Sequence, residues 1–210
     1  MTLKLGVLGS TNGTDLPAVV ESIQNGELKG LAEIAVVISD KEDAGILDKA
    51  QEYGLQNLYV SPRTEDGQKK AREIYDIDIS RILDGEGVEL IVLIGYMRLF
   101  GERFVNEYRN KCMNIHPSLL PSPFTGMDLN VHKAVLDYGS KVSGCTLFFV
   151  DEGEDTGPII LQKPVPVLKN DTPETLKARV QSAEKEILPK GIRFYAEGRL
   201  HVEGRKVYIR

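Results

Sequence analysis

Leu5-Gly6-Val7-Leu8-Gly9-Ser10-Thr11-Asn12-Gly13-Thr14-Asp15-Leu16-Pro17 reads as a buried strand, a glycine-bearing turn and the opening of a helix. Comparable β-branched runs follow at residues 34–38, 58–60 and 90–94, separated by helical periodicity over 43–53 and 67–83. Strand and helix patterns in alternation predict βαβ units. Runs that are apolar on consecutive residues predict strands covered on both faces, as in a parallel sheet between helices. Working outward, residues 142–150 and 159–167 are longer extended segments on either side of an acidic loop, and are expected to extend the same sheet. Asn170-Asp171-Thr172-Pro173-Glu174 then combines a capping side chain, an early proline and an early acid, which announces a helix running to about Gly198. Leu176, Val180, Ala183, Ile187 and Leu188 form its apolar face, and Pro189 is expected to kink or interrupt it. Residues 200–202 and 207–209, around Glu203-Gly204-Arg205-Lys206, suggest a closing hairpin. The fold class is therefore α/β: a Rossmann-like parallel sheet in the N-terminal half, extended by further strands into one mixed sheet flanked by helices.

The 210 residues suit a single domain, residues 1–210, large enough to bury a proper core. Ordinary proportions of hydrophobic (41%) and charged (27%) residues argue against a disordered chain. No stretch is long and apolar enough to suggest a membrane span, and Met1-Thr2-Leu3-Lys4 leads straight into the first strand without a signal-peptide pattern. A cytoplasmic location is the default expectation. A net charge of −5 disfavours nucleic acid or anionic membranes as partners. Cys112 and Cys145 suggest neither a disulfide framework nor a metal site, so no metal is expected.

Three further regions could carry chemistry beside the first turn. That turn offers backbone N–H groups and a helix N-terminus suited to phosphate, yet it is neither a dinucleotide nor a P-loop fingerprint. Thr14 or Asp15 acting as an N-cap explains the same residues. Asn114 and His116 lie two apart in an expected strand and so share a face, a plausible donor and proton carrier for a developing oxyanion; from spacing alone, two hydrogen-bonded groups at a strand end is the slightly favoured reading. The loop Asp151-Glu152-Gly153-Glu154-Asp155-Thr156-Gly157 reads as a solvated acidic turn, or as a source of one inward carboxylate able to raise a histidine pKa. Glu184 falls within the apolar stripe of the C-terminal helix, where a carboxylate needs a partner.

In order along nearly the whole chain, these segments resemble the phosphoribosylglycinamide formyltransferase family. The resemblance is carried by Asn114-Ile115-His116-Pro117-Ser118-Leu119-Leu120-Pro121 and Asp155-Thr156-Gly157-Pro158-Ile159-Ile160-Leu161-Gln162. It implies the formyltransferase fold, with residues 1–100 as a nucleotide- and phosphate-binding half and 101–210 as a catalytic and folate-binding half. It also implies transfer of a formyl group from 10-formyltetrahydrofolate, as cosubstrate, to the amine of glycinamide ribonucleotide, in de novo purine synthesis. Asn114, His116 and Asp155 match the catalytic residues. Gly13, Thr14 and Asp15 match the substrate-phosphate loop, and Gln181 and Glu184 the helix facing the sugar and glycyl part. Met97, Arg98, Leu99 and Phe100, with Asp151, Glu152, Gly153, Glu154 and Asp155, match the pterin pocket. Arg72 matches a cationic residue for the folate tail. Small-molecule substrates and a monomer or homodimer are the implied partners and state.

The chain also departs from the pattern. Phe148 stands where many relatives carry a histidine, and Asp15 where asparagine is common, so a phosphate would be repelled unless Asp15 turns away or caps the helix. The segment from Gly126 to His132 is longer than in many relatives, and His132 is either a supporting or a core residue. Methionyl-tRNA formyltransferases share the motif but normally append a tRNA domain, for which this length leaves no room. Formyltetrahydrofolate deformylases differ after the histidine. A non-catalytic folate- or nucleotide-binding module remains the alternative from another class.

Overall fold

The structure, a computed structural model, describes residues 2–122 and 129–210. The N-terminal half contains β1 (Leu3–Leu8), α1 (Leu16–Asn25), β2 (Ala32–Ser39), α2 (Gly45–Glu52), β3 (Asn57–Tyr59), α3 (Arg72–Gly85) and β4 (Leu90–Leu93). It continues through α4 (Glu102–Glu107), β5 (Cys112–His116), α5 (Leu129–Tyr138), β6 (Val142–Phe149), β7 (Ile159–Pro166), α6 (Pro173–Ala196), β8 (Leu200–Glu203) and β9 (Lys206–Ile209). One sheet takes all nine described strands in the order β3-β2-β1-β4-β5-β6-β7-β9-β8. The first five are parallel, β6 runs antiparallel to β5 and β7, and the β8–β9 hairpin closes the far edge. The expected mixed sheet is thus the observed one.

Both faces of the inner parallel strands are buried toward their carboxyl ends, as their uninterrupted apolar runs require, while the edge strand β3 leaves Leu58 and Tyr59 exposed. Leu5, Val7, Leu90 and Val92 face a core shared with α1, α2 and α6. Leu8, Ile38, Ile91 and Leu93 face the opposite core, with Tyr75, Ile79 and Leu83 of α3 and Phe104 of α4. A stacked aromatic column runs from Tyr96 through Phe100 and Phe104, with centroids 5.3 Å and 3.9 Å apart, and anchors the loop after β4 on α4.

Two helices differ from the sequence expectation. Residues 67–71 precede α3 rather than forming its first coil, following a turn over residues 64–67 in which Gly67 adopts φ +82° and the Thr64 carbonyl accepts from its N–H at 2.9 Å. An isolated bridge between Arg63 and Lys69 completes that turn. In α6, Pro189 neither ends nor breaks the helix. An internal proline costs about 3 kcal/mol, but the buried neighbours Ile187, Leu188 and Ile192 contribute about 1.5–3 kcal/mol each, so packing against the sheet prevails. The start of α6 is as expected: Thr172 and Thr175 cap one another, each backbone N–H donating to the other's hydroxyl, at 2.9 Å and 3.3 Å. The lengthened segment at Gly126 begins in residues 123–128, outside the described residues.

Candidate active site

The parallel strands point their carboxyl ends at one cleft, where an open α/β sheet binds ligands. Two of the loops there are laced together. Ser10 donates its backbone N–H to the Gly95 carbonyl at 3.0 Å, and its hydroxyl accepts from the Met97 N–H at 2.9 Å. Across the sheet, β5 ends in Asn114 and His116, and β6 returns beside it with Phe148 opposite Asn114 and Thr146 opposite His116. A cavity of about 650 Å³ lies between these elements and α6.

At its middle, the Asp155 carboxylate meets both β5 side chains. Oδ2 lies 3.1 Å from His116 Nδ1, and Oδ1 accepts from Asn114 Nδ2 at 3.4 Å. Because a carboxylate only accepts, Nδ1 is the ring nitrogen that donates, and Nε2 is left for other chemistry. Backbone geometry turns this one acid inward. Asp155 sits at φ +53°, a left-handed conformation uncommon outside glycine. Asp151 Oδ1 holds the same loop by accepting from the Gly153 N–H at 3.1 Å and the Thr156 hydroxyl at 2.6 Å. A side chain at Gly157 would collide with the Phe149 carbonyl oxygen. Glu152 instead turns outward to Arg109, 2.9 Å away.

The two sequence motifs are also joined physically. Thr146 Oγ1 donates to the Ser118 carbonyl at 2.7 Å and accepts from the Leu120 N–H at 3.0 Å. Gln162 Nε2 donates to the Leu120 carbonyl at 2.8 Å, so the loop after His116 is pinned by the strand that follows Asp155.

The electrostatics correct one expectation. Asp155 and Glu154 do favour the imidazolium of His116, but burial of the ring acts more strongly, and its pKa lies below the usual histidine value. Before any ligand charge enters the cavity, His116 is therefore neutral near pH 7.

Toward α1 and α6, the cavity is lined by Thr14, Asp15, Gln181, Glu184 and Lys177. Gln181 Nε2 donates to Thr14 Oγ1 at 3.4 Å. Gly13 does not line the cavity: at φ +58° it turns the loop, and a Cβ there would strike Ile46. Asp15 occupies the N-cap position of α1 without a side-chain capping bond, so the capping expected of it is not adopted. It is buried, and its Oδ1 has no hydrogen-bond partner among the described residues. Burial first pushes its carboxyl up to about 6, with Lys185 opposing. Glu184, equally buried, is pushed up to about 8 by burial and then by Asp15, against Lys177 and Lys185.

The opposite end is bounded by Met97, Arg98, Leu99 and Phe100 and by residues 151–155, with Phe148 and Val150 adding apolar wall. Arg98 packs its guanidinium 4.3 Å from the Tyr75 ring centroid. Arg72 is exposed on the first turn of α3 beside Gly101, outside the cavity lining. His132 of α5 is both buried and cavity-lining. Sequence reasoning missed Tyr96, for which no spacing signal existed, and Lys177, which the helical spacing 177–181–184 could have revealed.

With fold and cleft in place, the class is that of formyl transferases: the Formyl transferase family model matches residues 3–192, and the chain belongs to that family. More particularly, it is 33% identical over 207 residues to the phosphoribosylglycinamide formyltransferase of Escherichia coli (strain K12), covering 99% of this chain and 93% of that protein. The glycinamide ribonucleotide transformylase 1 structure from Symbiobacterium toebii superposes with a TM-score of 0.90 at 41% identity, covering 99% of this chain and 94% of that one. The trifunctional purine biosynthetic protein adenosine-3 of Bos taurus is 39% identical over 98% of this chain, which spans 20% of that protein's length. Among the described residues, no cluster suited to a metal ion and no helix long and apolar enough to cross a membrane is found.

Proposed function

We propose that this chain transfers the formyl group of 10-formyltetrahydrofolate to the primary amine of glycinamide ribonucleotide, giving formylglycinamide ribonucleotide and tetrahydrofolate. The observation that carries the proposal is one carboxylate, Asp155, bound to both Asn114 and His116 midway along a cavity with two chemically different ends. The end walled by Met97, Leu99, Phe100 and Phe148 suits a flat heteroaromatic ring, with polar backbone of the 151–155 loop at its edge. The end formed by the β1–α1 turn and α6 suits a sugar phosphate. The two reacting groups then meet at β5.

The neutral amine attacks the formyl carbon, and negative charge develops on the carbonyl oxygen. Asn114 donates to that oxygen. His116, neutral at rest, holds its proton on Nδ1 against Asp155; as charge builds, protonation at Nε2 gives a second donor, which Asp155 stabilises as imidazolium. The proton lost by the attacking nitrogen leaves on N10 of the departing folate, relayed through the imidazole or water. No covalent bond to the protein forms. The same reading places the enzyme in de novo purine synthesis, in the cytoplasm, acting on small molecules as one domain whose halves serve the two substrates.

Mixing protein and 10-formyltetrahydrofolate with and without glycinamide ribonucleotide tests this directly. Release of deformylated folate that depends on the ribonucleotide is expected. Equal release without it would indicate hydrolysis, and tight binding of both ligands without product would indicate a binding module; either overturns the proposal.

A further inference from the structure

At the α6 end of the cavity, two buried acids lie beside the Gln181–Thr14 contact that joins α6 to the β1–α1 turn, where an anion is expected. Asp15 is 5% exposed and Glu184 5% exposed, both line the cavity, and Asp15 Oδ1 is buried without a partner among the described residues. Asp15 comes from the start of α1 and Glu184 from α6, which packs against α1. The charged and titratable groups around them are Lys177 and Lys185 on α6, Cys145 on β6, whose thiol feels both acids, and His132 on α5 across the cavity.

We propose that Asp15 and Glu184 act as a carboxyl pair sharing a single proton, and that this pair gates entry of the ribonucleotide's phosphate end: the monoprotonated pair admits the anion and the doubly ionised pair repels it. The proposal rests on the sugar-phosphate reading of this end of the cavity. Two close carboxyls removed from water cannot both ionise cheaply, so their protons leave in two separate steps that belong to the pair. Burial dominates both groups, with the first step displaced to about 6 and the second to about 8. Near neutrality the pair thus carries one negative charge and one donor, balanced by Lys177 and Lys185. The protonated member of the pair can donate to a phosphate or ribose oxygen, which a second ionised carboxylate cannot.

Ribose 5-phosphate is a suitable probe, because it has no amine and its phosphate stays dianionic above neutrality. Isothermal calorimetry in buffers of different ionisation heat, at about pH 7 and about pH 9, reads the linked protons; near zero uptake is expected at the lower pH and about one proton at the higher. Above the second ionisation, Kd should rise about tenfold per pH unit in the wild type. Asp15→Asn fixes one member of the pair as a neutral donor, so its Kd should change by less than about threefold over the same range. Binding with no proton uptake at about pH 9, a readout that needs no variant, overturns the pair while leaving the sugar-phosphate reading intact. No binding of ribose 5-phosphate at any pH would overturn both.

Discussion

Two aspartates, one at the α1 end of the cavity and one at its middle, are given opposite tasks by their surroundings. Asp155 meets an amide and an imidazole, both donors, at 3.4 Å and 3.1 Å. Asp15 lines the cavity with a second buried acid, Glu184, whose carboxyl its charge pushes up, and leaves an oxygen unpartnered among the described residues. In the first arrangement the acid accepts from both neighbours, and in the proposed reaction it supports the imidazolium that forms. The second disfavours the carboxylate and stores a proton. Residue type alone does not separate them; the partner and the depth of burial do.

The largest effect should come from breaking the first arrangement. Asp155→Asn or His116→Ala is expected to lower kcat about 10²–10³-fold, roughly 2.7–4 kcal/mol of transition-state stabilisation, with the circular dichroism spectrum unchanged. Turnover near the wild-type value by either variant would remove these roles.

The second arrangement predicts a pH-dependent stability. Both acids have raised folded pKa values, so the favourable protonated form is fully present below the unfolded carboxylate pKa. That contribution is lost as pH rises through the folded values, between about 4 and about 8. Glu184→Gln escapes this loss. Thermal melts should show the variant gaining a few degrees over wild type at about pH 8.5, at about 2–4 °C per kcal/mol for a chain this size, with a much smaller gap at about pH 5. A gap independent of pH would contradict the pairing.

The smallest effect concerns the edge between the two regions. Gln181 contributes one long hydrogen bond to Thr14 and a polar wall. Gln181→Ala should raise KM for the ribonucleotide about 3–10-fold, the worth of one ordinary hydrogen bond, through KM rather than kcat. An effect confined to kcat would move this residue into the chemistry.

How much of this was legible in the sequence follows the range of the forces involved. Strand runs such as residues 34–38 and 90–94, and the Thr172-Pro173-Glu174 helix start, are local patterns, and the structure agrees with them. Asn114 and His116 sharing a side of β5 follows from strand periodicity alone. Pro189 does not interrupt α6 because the cost of a proline is local, while the burial of Leu188 and Ile192 that offsets it belongs to the assembled core. The same holds for the two acids. The inward turn of Asp155 depends on a left-handed backbone and on Gly157 lying against Phe149, and the meeting of Asp15 with Glu184 joins residues on separate helices. The direction of the His116 shift was misjudged for a related reason: sequence shows the nearby acid, but only the folded cavity shows how far water is excluded.

The most direct measurement is an NMR titration of the His116 ring in wild type and in Asp155→Asn. Burial outweighing an attractive carboxylate predicts a wild-type pKa below the ordinary 6.5, and a still lower value once the carboxylate is neutralised. A wild-type value above the ordinary one, or a variant whose ring titrates at the same pH as wild type, would contradict the account of how Asp155 and burial together set the charge of His116.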